Sequence, residues 1–397
     1  MKTDNISKLR ADRVWMTPES CELDDFLKII GRTTRHEDYP LASGIVSNVP
    51  IYDGDTVREA AADPEARKAM LAEWAEAMLT GPGIVVFKKA FADTAPIDAA
   101  SKIFYAMIAE QHANNTGGGD HFAKPGANDR IWNALEKLCL RAPEVFAQYY
   151  ANDIIALISE AWLGTGYQIT SQLNVVNPGG EAQSVHRDYH MGFQSAKDIE
   201  RFPVHAHMLS PVLTLQGAVA HCDMAVESGP TLYLPYSQAF VPGFFAWRKP
   251  EFKDYFDSHY VQLPLKKGDA AFFNPALFHA AGHNVTKDVK RMANLLQVSS
   301  AYGRAMESMD RARMSTALYP TLKSLKASGK LAGQATANAI AACAEGYSFP
   351  TNLDRDPPIG GLAPETQAQL MAKALAENWE PAVFNSALEK QSWRKLT

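Results

Sequence analysis

Apolar positions between residues 63 and 111 repeat at helical spacing. Asp63-Pro64-Glu65 reads as a helix start, Met70, Leu71, Trp74, Met78 and Leu79 form one stripe, and Gly81-Pro82-Gly83 ends it. Gly83-Ile84-Val85-Val86-Phe87 then reads as a short buried strand, and a further helix is expected from Ala95 to Gln111. Residues 1 to about 60 are rich in turn formers, with Pro40, Pro50 and Gly54 interrupting any long element, so an irregular wrap with short helices is expected there. Asn128 to Gly164 is helical by pattern, with Trp132, Leu135, Leu138, Val145, Tyr149, Ile154, Ile155 and Ile158 available for packing. The polar stretch between these helices, His112 to Arg130, contains Thr116-Gly117-Gly118-Gly119-Asp120-His121. It lacks the Gly-Lys-Ser/Thr ending of a phosphate loop, which leaves a mobile lid and an ordinary surface loop as the two readings.

The period changes from Tyr167 to Ser300. Short β-rich runs separated by turn signals place strands at 167–176, 183–188, 204–209, 212–222, 230–235, 261–264, 269–273, 278–283 and 290–300, the count and spacing of a sandwich or jelly roll. After Tyr302 the chain turns alanine-rich and helical, as in Lys330 to Glu345 and Pro364 to Glu377, and these helices are expected to cover an outer face of the β core.

Composition narrows the class of function. With 46% hydrophobic and 21% charged residues and a mean hydropathy of -0.21, the chain has ample material for a core. A net charge of -5 without long basic runs gives no reason to expect nucleic acid or an anionic membrane as partner, so a small molecule is the expected partner. Cys21, Cys139, Cys222 and Cys343 are far apart, with no C-x-x-C pair, which fits a reducing cytoplasm. The N-terminus leads into charged sequence without an apolar signal core, and no stretch has the length to span a bilayer.

The chemistry centres on Ser184-Val185-His186-Arg187-Asp188-Tyr189-His190. Residues two apart on a strand share a face, so His186 and Asp188 aim at one point while Arg187 faces away. One more imidazole would complete two nitrogens and a carboxylate on one side of a metal, the facial arrangement that binds non-haem Fe(II) and leaves positions open. His279 is the proposed third ligand; His205-Ala-His207, with the same spacing, His221 and His283 are rivals. Downstream follow Asp223, Glu227-Ser228-Gly229-Pro230-Thr231-Leu232-Tyr233-Leu234-Pro235-Tyr236-Ser237-Gln238, Lys267-Gly268-Asp269-Ala270, Phe278-His279-Ala280-Ala281-Gly282-His283-Asn284 and Arg291.

In this order and spacing, residues 165–301 resemble the phytanoyl-CoA dioxygenase family of Fe(II)/2-oxoglutarate oxygenases. Its members carry His-x-Asp on an early barrel strand, an Asn-Gly-Pro/Gly turn leading to Pro-Gly-Ser-His, a Gly-Asp hairpin, a distal His followed by Asn, and an Arg about one strand later. The resemblance implies an α+β fold with a mainly β core, a double-stranded β-helix (jelly roll, cupin-like) with helical N- and C-terminal elaborations. It implies one oxygenase domain: a helical wrap over 1–164, the β-helix over 165–301 and helices over 302–397. Carried over by residue, His186, Asp188 and His279 would hold Fe(II), Arg291 would pair with the distal carboxylate of 2-oxoglutarate, and O2 would take the remaining position. A guanidinium suits that carboxylate because it binds bidentately, and strand alternation would turn Lys290 outward. Gln172 and Asn174, on one strand face, would donate to the cosubstrate or serve as core polar groups. The implied reaction is hydroxylation of an unactivated C–H bond with release of succinate and CO2. Pocket candidates His121, Lys124, Arg130, His190 and His207 suit a polar or anionic substrate, and the family name adds a CoA thioester.

Two departures stand out. Pro235-Tyr236-Ser237-Gln238 replaces Pro-Gly-Ser-His, and Ala281 sits where some relatives have a hydroxyl that helps hold the cosubstrate. Asp188 is kept, which counts against a halogenase. A catalytically silent jelly-roll binding protein and a zinc hydrolase on the same ligands remain the other classes, separated from the oxygenase by whether 2-oxoglutarate yields succinate and CO2.

Overall fold

The computed structural model describes residues 10–116 and 126–397. Among the described residues eleven strands carry the architecture: β1 (Gly44–Val46), β2 (Val49–Asp53), β3 (Ile84–Lys88), β4 (Asn128–Ile131), β5 (Gln168–Val176), β6 (Thr214–Ala220), β7 (Leu232–Leu234), β8 (Val261–Gln262), β9 (Ala270–Phe273), β10 (Phe278–Ala280) and β11 (Arg291–Ser299). The larger sheet has the order β1-β2-β3-β9-β6-β11-β5-β4 and the smaller one β10-β7-β8. β1 pairs with β2, β3 with β9, β6 with β9, β7 with β8 and β7 with β10 antiparallel, whereas β2 and β3 run parallel. A large, mostly antiparallel sheet with a small partner sheet is the jelly-roll plan, here elaborated by many helices.

The chain divides into two compact units. The first comprises 10–92, 126–130 and 174–295 of the described residues. Two apolar clusters build it. One gathers Val49, Ile84, Val86, Met224, Tyr233, Leu263, Leu265, Ala271 and Phe273; the other gathers Phe26, Phe240, Phe244, Phe252, Phe256 and Phe278. Their separation follows from strand alternation, since Phe278 and Ala280 join the second cluster while His279 between them points the other way. β6 packs so closely on β9 that a Cβ at Gly217 would lie 2.4 Å from the Phe272 ring, which explains glycine inside an otherwise apolar strand. The helix Pro64–Leu79 begins as its sequence indicates: Asp63 Oδ1 accepts from the amides of Glu65 and Ala66, and Met70, Trp74 and Met78 are buried.

The second unit comprises 93–116, 131–173 and 296–397 and is mainly helical. Its buried Arg311 donates to the carbonyls of Ile169, Ala342 and Cys343, and Tyr319 stacks on Phe384 with ring centroids 4.2 Å apart. Among the described residues no helix is long and apolar enough to cross a membrane.

Several sequence expectations need correction. Residues 204–209 are not a strand but lie in the helix Val204–Val212, started by Pro203 and burying His207 and Ser210 three residues apart. Residues 183–188 form no ladder; only His186 pairs, in a single antiparallel bridge to His279. The start of the supposed helix at 128 is β4, and the remainder is three helices, Ala134–Arg141, Pro143–Tyr150 and Asp153–Leu163, with Pro143 beginning the second. The turn-rich N-terminal segment holds β1 and β2, which join the main sheet. Of the glycine-rich 112–130 connection, residues 117–125 lie outside the described residues.

Candidate metal centre

The His186–His279 bridge brings two distant segments together. The backbone N–H of His186 donates to the His279 carbonyl (3.0 Å), and that of His279 donates to the His186 carbonyl (3.3 Å). On β10, His279 lies opposite Tyr233 of β7, and the Phe278 amide donates to Ser237 Oγ at 2.8 Å. The Asp188 amide is tied to the Pro275 carbonyl at 3.2 Å. Directly after Asp188 the backbone takes φ 62°, ψ 150° at Tyr189 and φ 42° at His190, conformations that cost a side-chain-bearing residue on the order of 1–3 kcal/mol each. The chain is thereby turned sharply away from the carboxylate, and Pro211-containing helix 204–212 follows before β6.

Ligand-capable atoms of His186, Asp188 and His279 all lie within 4.8 Å of one another. His186 Nδ1 is 2.9 Å from the Ser184 carbonyl and His279 Nδ1 is 2.8 Å from the Leu277 carbonyl. A carbonyl only accepts, so both Nδ1 atoms carry the proton and both Nε2 atoms present lone pairs. Those Nε2 atoms face Asp188, at 3.7 Å from Oδ1 for His186 and 3.5 Å from Oδ2 for His279. Electron-rich atoms facing one another beyond hydrogen-bond distance are what a bound cation would reconcile, and two imidazoles with one carboxylate is a donor set suited to Fe(II). Burial by itself pushes the Asp188 carboxyl up, whereas the Gln216 amide and positive charge placed at the His186–His279 pair, which a bound cation would supply to neutral imidazoles, pull it below the usual carboxylate range. Gln216 Nε2 donates directly to Asp188 Oδ2.

Beside this cluster lies a cavity lined by Asn174, Ala218, Ala220, Thr231, Tyr233 and Arg291, with apolar walls that include Met224 and Leu263. Alternation along β6 links it to the cluster: Ala218 and Ala220 line the cavity, and Gln216, two residues earlier on the same face, reaches Asp188. The ring chain Tyr233–Phe273–His279, with centroid separations of 5.1 and 4.8 Å, makes the same link from the other side. Arg291 is 6% exposed, and among the described residues no carboxylate pairs with it. Burial lowers its pKa to about 10, so it remains a cation at neutral pH. A buried guanidinium facing a cavity without a counter-charge fits an anionic ligand.

The structure places the other sequence candidates as follows. Asn174 lines the cavity and accepts from Asn128 Nδ2 at 3.4 Å. Gln172 is buried but does not line the cavity. Lys290 is exposed, as alternation requires. His190 Nδ1 contacts Ser210 Oγ at 2.8 Å, so this nitrogen is not available to Asp188. His207 is buried against Phe245, ring centroids 5.6 Å apart, in the aromatic cluster; it is not brought to the metal cluster, and its helical backbone sends the neighbouring His205 to an exposed position. Arg130 lies on β4 away from the cavity lining, and His121 and Lys124 lie outside the described residues. Asn284 is wholly buried and fixes backbone, donating to the carbonyls of Val176, Asn177 and Val289. At the family's Pro-Gly-Ser-His position, Tyr236 itself adopts φ 69°, with its hydroxyl 2.7 Å from Thr34 Oγ1 and Arg32 over its ring. The turn that glycine permits is thus kept by a buried tyrosine.

Sequence reading missed Gln216, Thr231 and Tyr233. A lone glutamine in Thr214-Leu-Gln-Gly-Ala-Val-Ala220 was the available signal for the first, and the alternation Thr231, Tyr233 after Pro230 for the others.

A family model described as phytanoyl-CoA dioxygenase (PhyH) matches residues 52–293, more than half of the chain. Solved structures similar to the chain include the non-heme alpha ketoglutarate dependent epimerase SnoN from nogalamycin biosynthesis, 18% identical over 60% of this chain and 82% of that one with a TM-score of 0.41. EctD from S. alaskensis with bound Fe is 18% identical over 59% and 79%, TM-score 0.43. The carbocyclase SnoK from nogalamycin biosynthesis is 18% identical over 55% and 80%, TM-score 0.38. None of the curated proteins matches the chain.

Proposed function

Because the chain belongs to the phytanoyl-CoA dioxygenase family of Fe(II)/2-oxoglutarate-dependent oxygenases, we propose that it hydroxylates an unactivated C–H bond of a small-molecule metabolite, with release of succinate and CO2. The observation that carries this reading is the convergence of His186, Asp188 and His279 beside a cavity that ends on the unpaired Arg291 guanidinium. In this reading the three side chains hold Fe(II) from one side, their tautomers and charge set by the Ser184 and Leu277 carbonyls and the Gln216 amide.

Iron with 2-oxoglutarate supplies the O2 activation that no amino-acid side chain can provide. Arg291 receives the distal carboxylate of the cosubstrate, with the Tyr233 phenol, pushed up to about 12 by burial, remaining protonated beside it as a neutral neighbour. Asn174 offers an amide at the same cavity, and Gln172 stands as a supporting polar group on the same strand. The walls formed by Val86, Met224, Leu263 and Leu265 exclude water from the reacting region. His186, Asp188 and His279 would hold the ion with three protein donors, a set that would leave it able to take further ligands.

His190, Arg130, His121 and Lys124 remain the proposed contacts to a polar or anionic substrate, whereas the aromatic packing of His207 favours a structural role. The whole chain is read as one oxygenase domain, and four unpaired cysteines fit a cytoplasmic setting. The reading is tested by supplying Fe(II), 2-oxoglutarate and O2 with panels of small metabolites and measuring succinate. A true substrate stimulates succinate release and gains one oxygen atom from labelled O2. Folded, iron-loaded protein that releases no succinate with or without metabolites would rule the oxygenase out, and succinate release with an unoxygenated product would rule out hydroxylation alone.

A further inference from the structure

Gln216 stands out among the polar residues of β6. It is 4% exposed, its Nε2 donates to Asp188 Oδ2, and its Oε1 is buried without a hydrogen-bond partner. The partner fixes the amide's orientation, because turning it over would set one acceptor oxygen against another. A side chain that only filled space would serve better as an apolar group, since the buried Oε1 is left unsatisfied. The amide is retained for what its nitrogen holds.

The same rung of the sheet also supports a second member of the cluster. Gln216 lies opposite Phe273 in the β6–β9 pairing, and the Phe273 ring packs 4.8 Å from the His279 ring. Phe273 is in turn paired with Ile84 of β3, so the rung is anchored on both sides. Asp188 itself follows a segment held by one bridge, not a ladder, and precedes two residues at positive φ. Its carboxylate therefore lacks the positioning that a strand would give, and Gln216 provides it from a rigid strand.

We propose that Gln216 is a positioning residue that orients the Asp188 carboxylate for metal binding from the rung it shares with Phe273. This rests on the reading of His186, Asp188 and His279 as the metal site. The residue contacts no reacting atom; it acts by holding Asp188 Oδ2, which faces His279 Nε2, so that Oδ1 is turned toward His186 Nε2.

The test uses the full chain and Mn(II), counted as free ion by electron paramagnetic resonance, with Gln216→Met and Gln216→Asn compared with wild type and His279→Ala. Methionine keeps the volume without the donor, and asparagine keeps the amide but is one methylene too short to reach. Both are expected to bind Mn(II) about 10- to 100-fold more weakly than wild type. The Gln216→Met variant should retain the metal-free unfolding midpoint, since it also removes the orphaned oxygen. The Co(II) visible spectrum, which reports ligand geometry, should shift in both variants. Mn(II) affinity equal to wild type in either variant, with His279→Ala binding abolished, overturns the role of Gln216 and leaves the metal site standing. Wild-type protein that binds no Mn(II), or binds it equally well as His279→Ala, overturns the metal site and this role together.

Discussion

Arg187 separates two of the proposed iron ligands and points away from them into the protein. Its Nη2 donates to the carbonyls of Ser237 (2.6 Å) and Phe240 (3.0 Å), and its guanidinium lies 5.2 Å from the rings of Phe244 and Phe278. Since Ser237 Oγ accepts from the Phe278 amide, the residue between His186 and Asp188 is braced against the residue before His279. Gly243 leaves room for it: a Cβ there would come 2.0 Å from Arg187 Cζ. Gly243→Ala should therefore destabilise the fold by about 1–3 kcal/mol, measured by urea denaturation, because neither the backbone nor the buried guanidinium can yield cheaply. Arg291 is argued on charge. Arg291→Ala should weaken 2-oxoglutarate binding by about 30-fold or more, measured by calorimetry with Mn(II) in place of iron, and Arg291→Lys should recover part of it through a single ammonium. At this scale the direction of side chains was legible: period two put Arg187 and Lys290 opposite to the residues beside them. The burial of Arg187 was not, because its carbonyl partners lie 50 and 53 residues further along the chain. Gln216 was hidden for the same reason, as a polar residue in an apolar strand shows a need for a partner without naming it.

The helix Val204–Val212 shows where pattern reading fails at the level of elements. Its short apolar-polar alternation suits a strand, but Pro203 starts a helix and the buried positions His207 and Ser210 are three apart. The segment carrying His186 and Asp188 failed differently: the alternation needed for convergence is present, yet glycines at 179 and 180 and positive φ at 189 and 190 confine pairing to one bridge. Strands with apolar runs flanked by clear turns, such as β6, β9 and β11, fell within the expected spans because burial on a sheet reads directly from composition. The stretch from His190 to the helix Val204–Val212 also carries a pH dependence. Burial lowers the pKa of both His190 and His207, so the native state holds fewer protons than the unfolded chain below the ordinary histidine value of about 6.5. Stability from these groups is thus intact above about pH 6.5 and falls as pH drops toward their native values. Denaturant midpoints should decrease from pH 7 to pH 5, and His207→Leu should make that decrease shallower; an unchanged slope would contradict the burial argument.

The order of short motifs from His186 to Arg291 carried the family resemblance, since each is local and their spacing survives any error in strand limits. What the sequence could not reveal was the participation of β1, β2 and β3 from the N-terminal third in the main sheet, because pairing partners such as Phe87 and Ala270 are far apart in the chain. Linkage gives a prediction for the molecule as a unit. Mn(II) at a hundredfold excess over its dissociation constant should add about 2.7 kcal/mol to stability in wild type and nothing in His279→Ala, read as a shift in the unfolding midpoint. The most direct test of the central claim is an anaerobic titration of Fe(II)-loaded protein with 2-oxoglutarate, followed by visible absorption. A weak charge-transfer band that saturates with added 2-oxoglutarate, needs higher concentrations in Arg291→Ala and is absent in His279→Ala is the predicted result. Iron-loaded, folded wild-type protein that develops no such band would contradict the account.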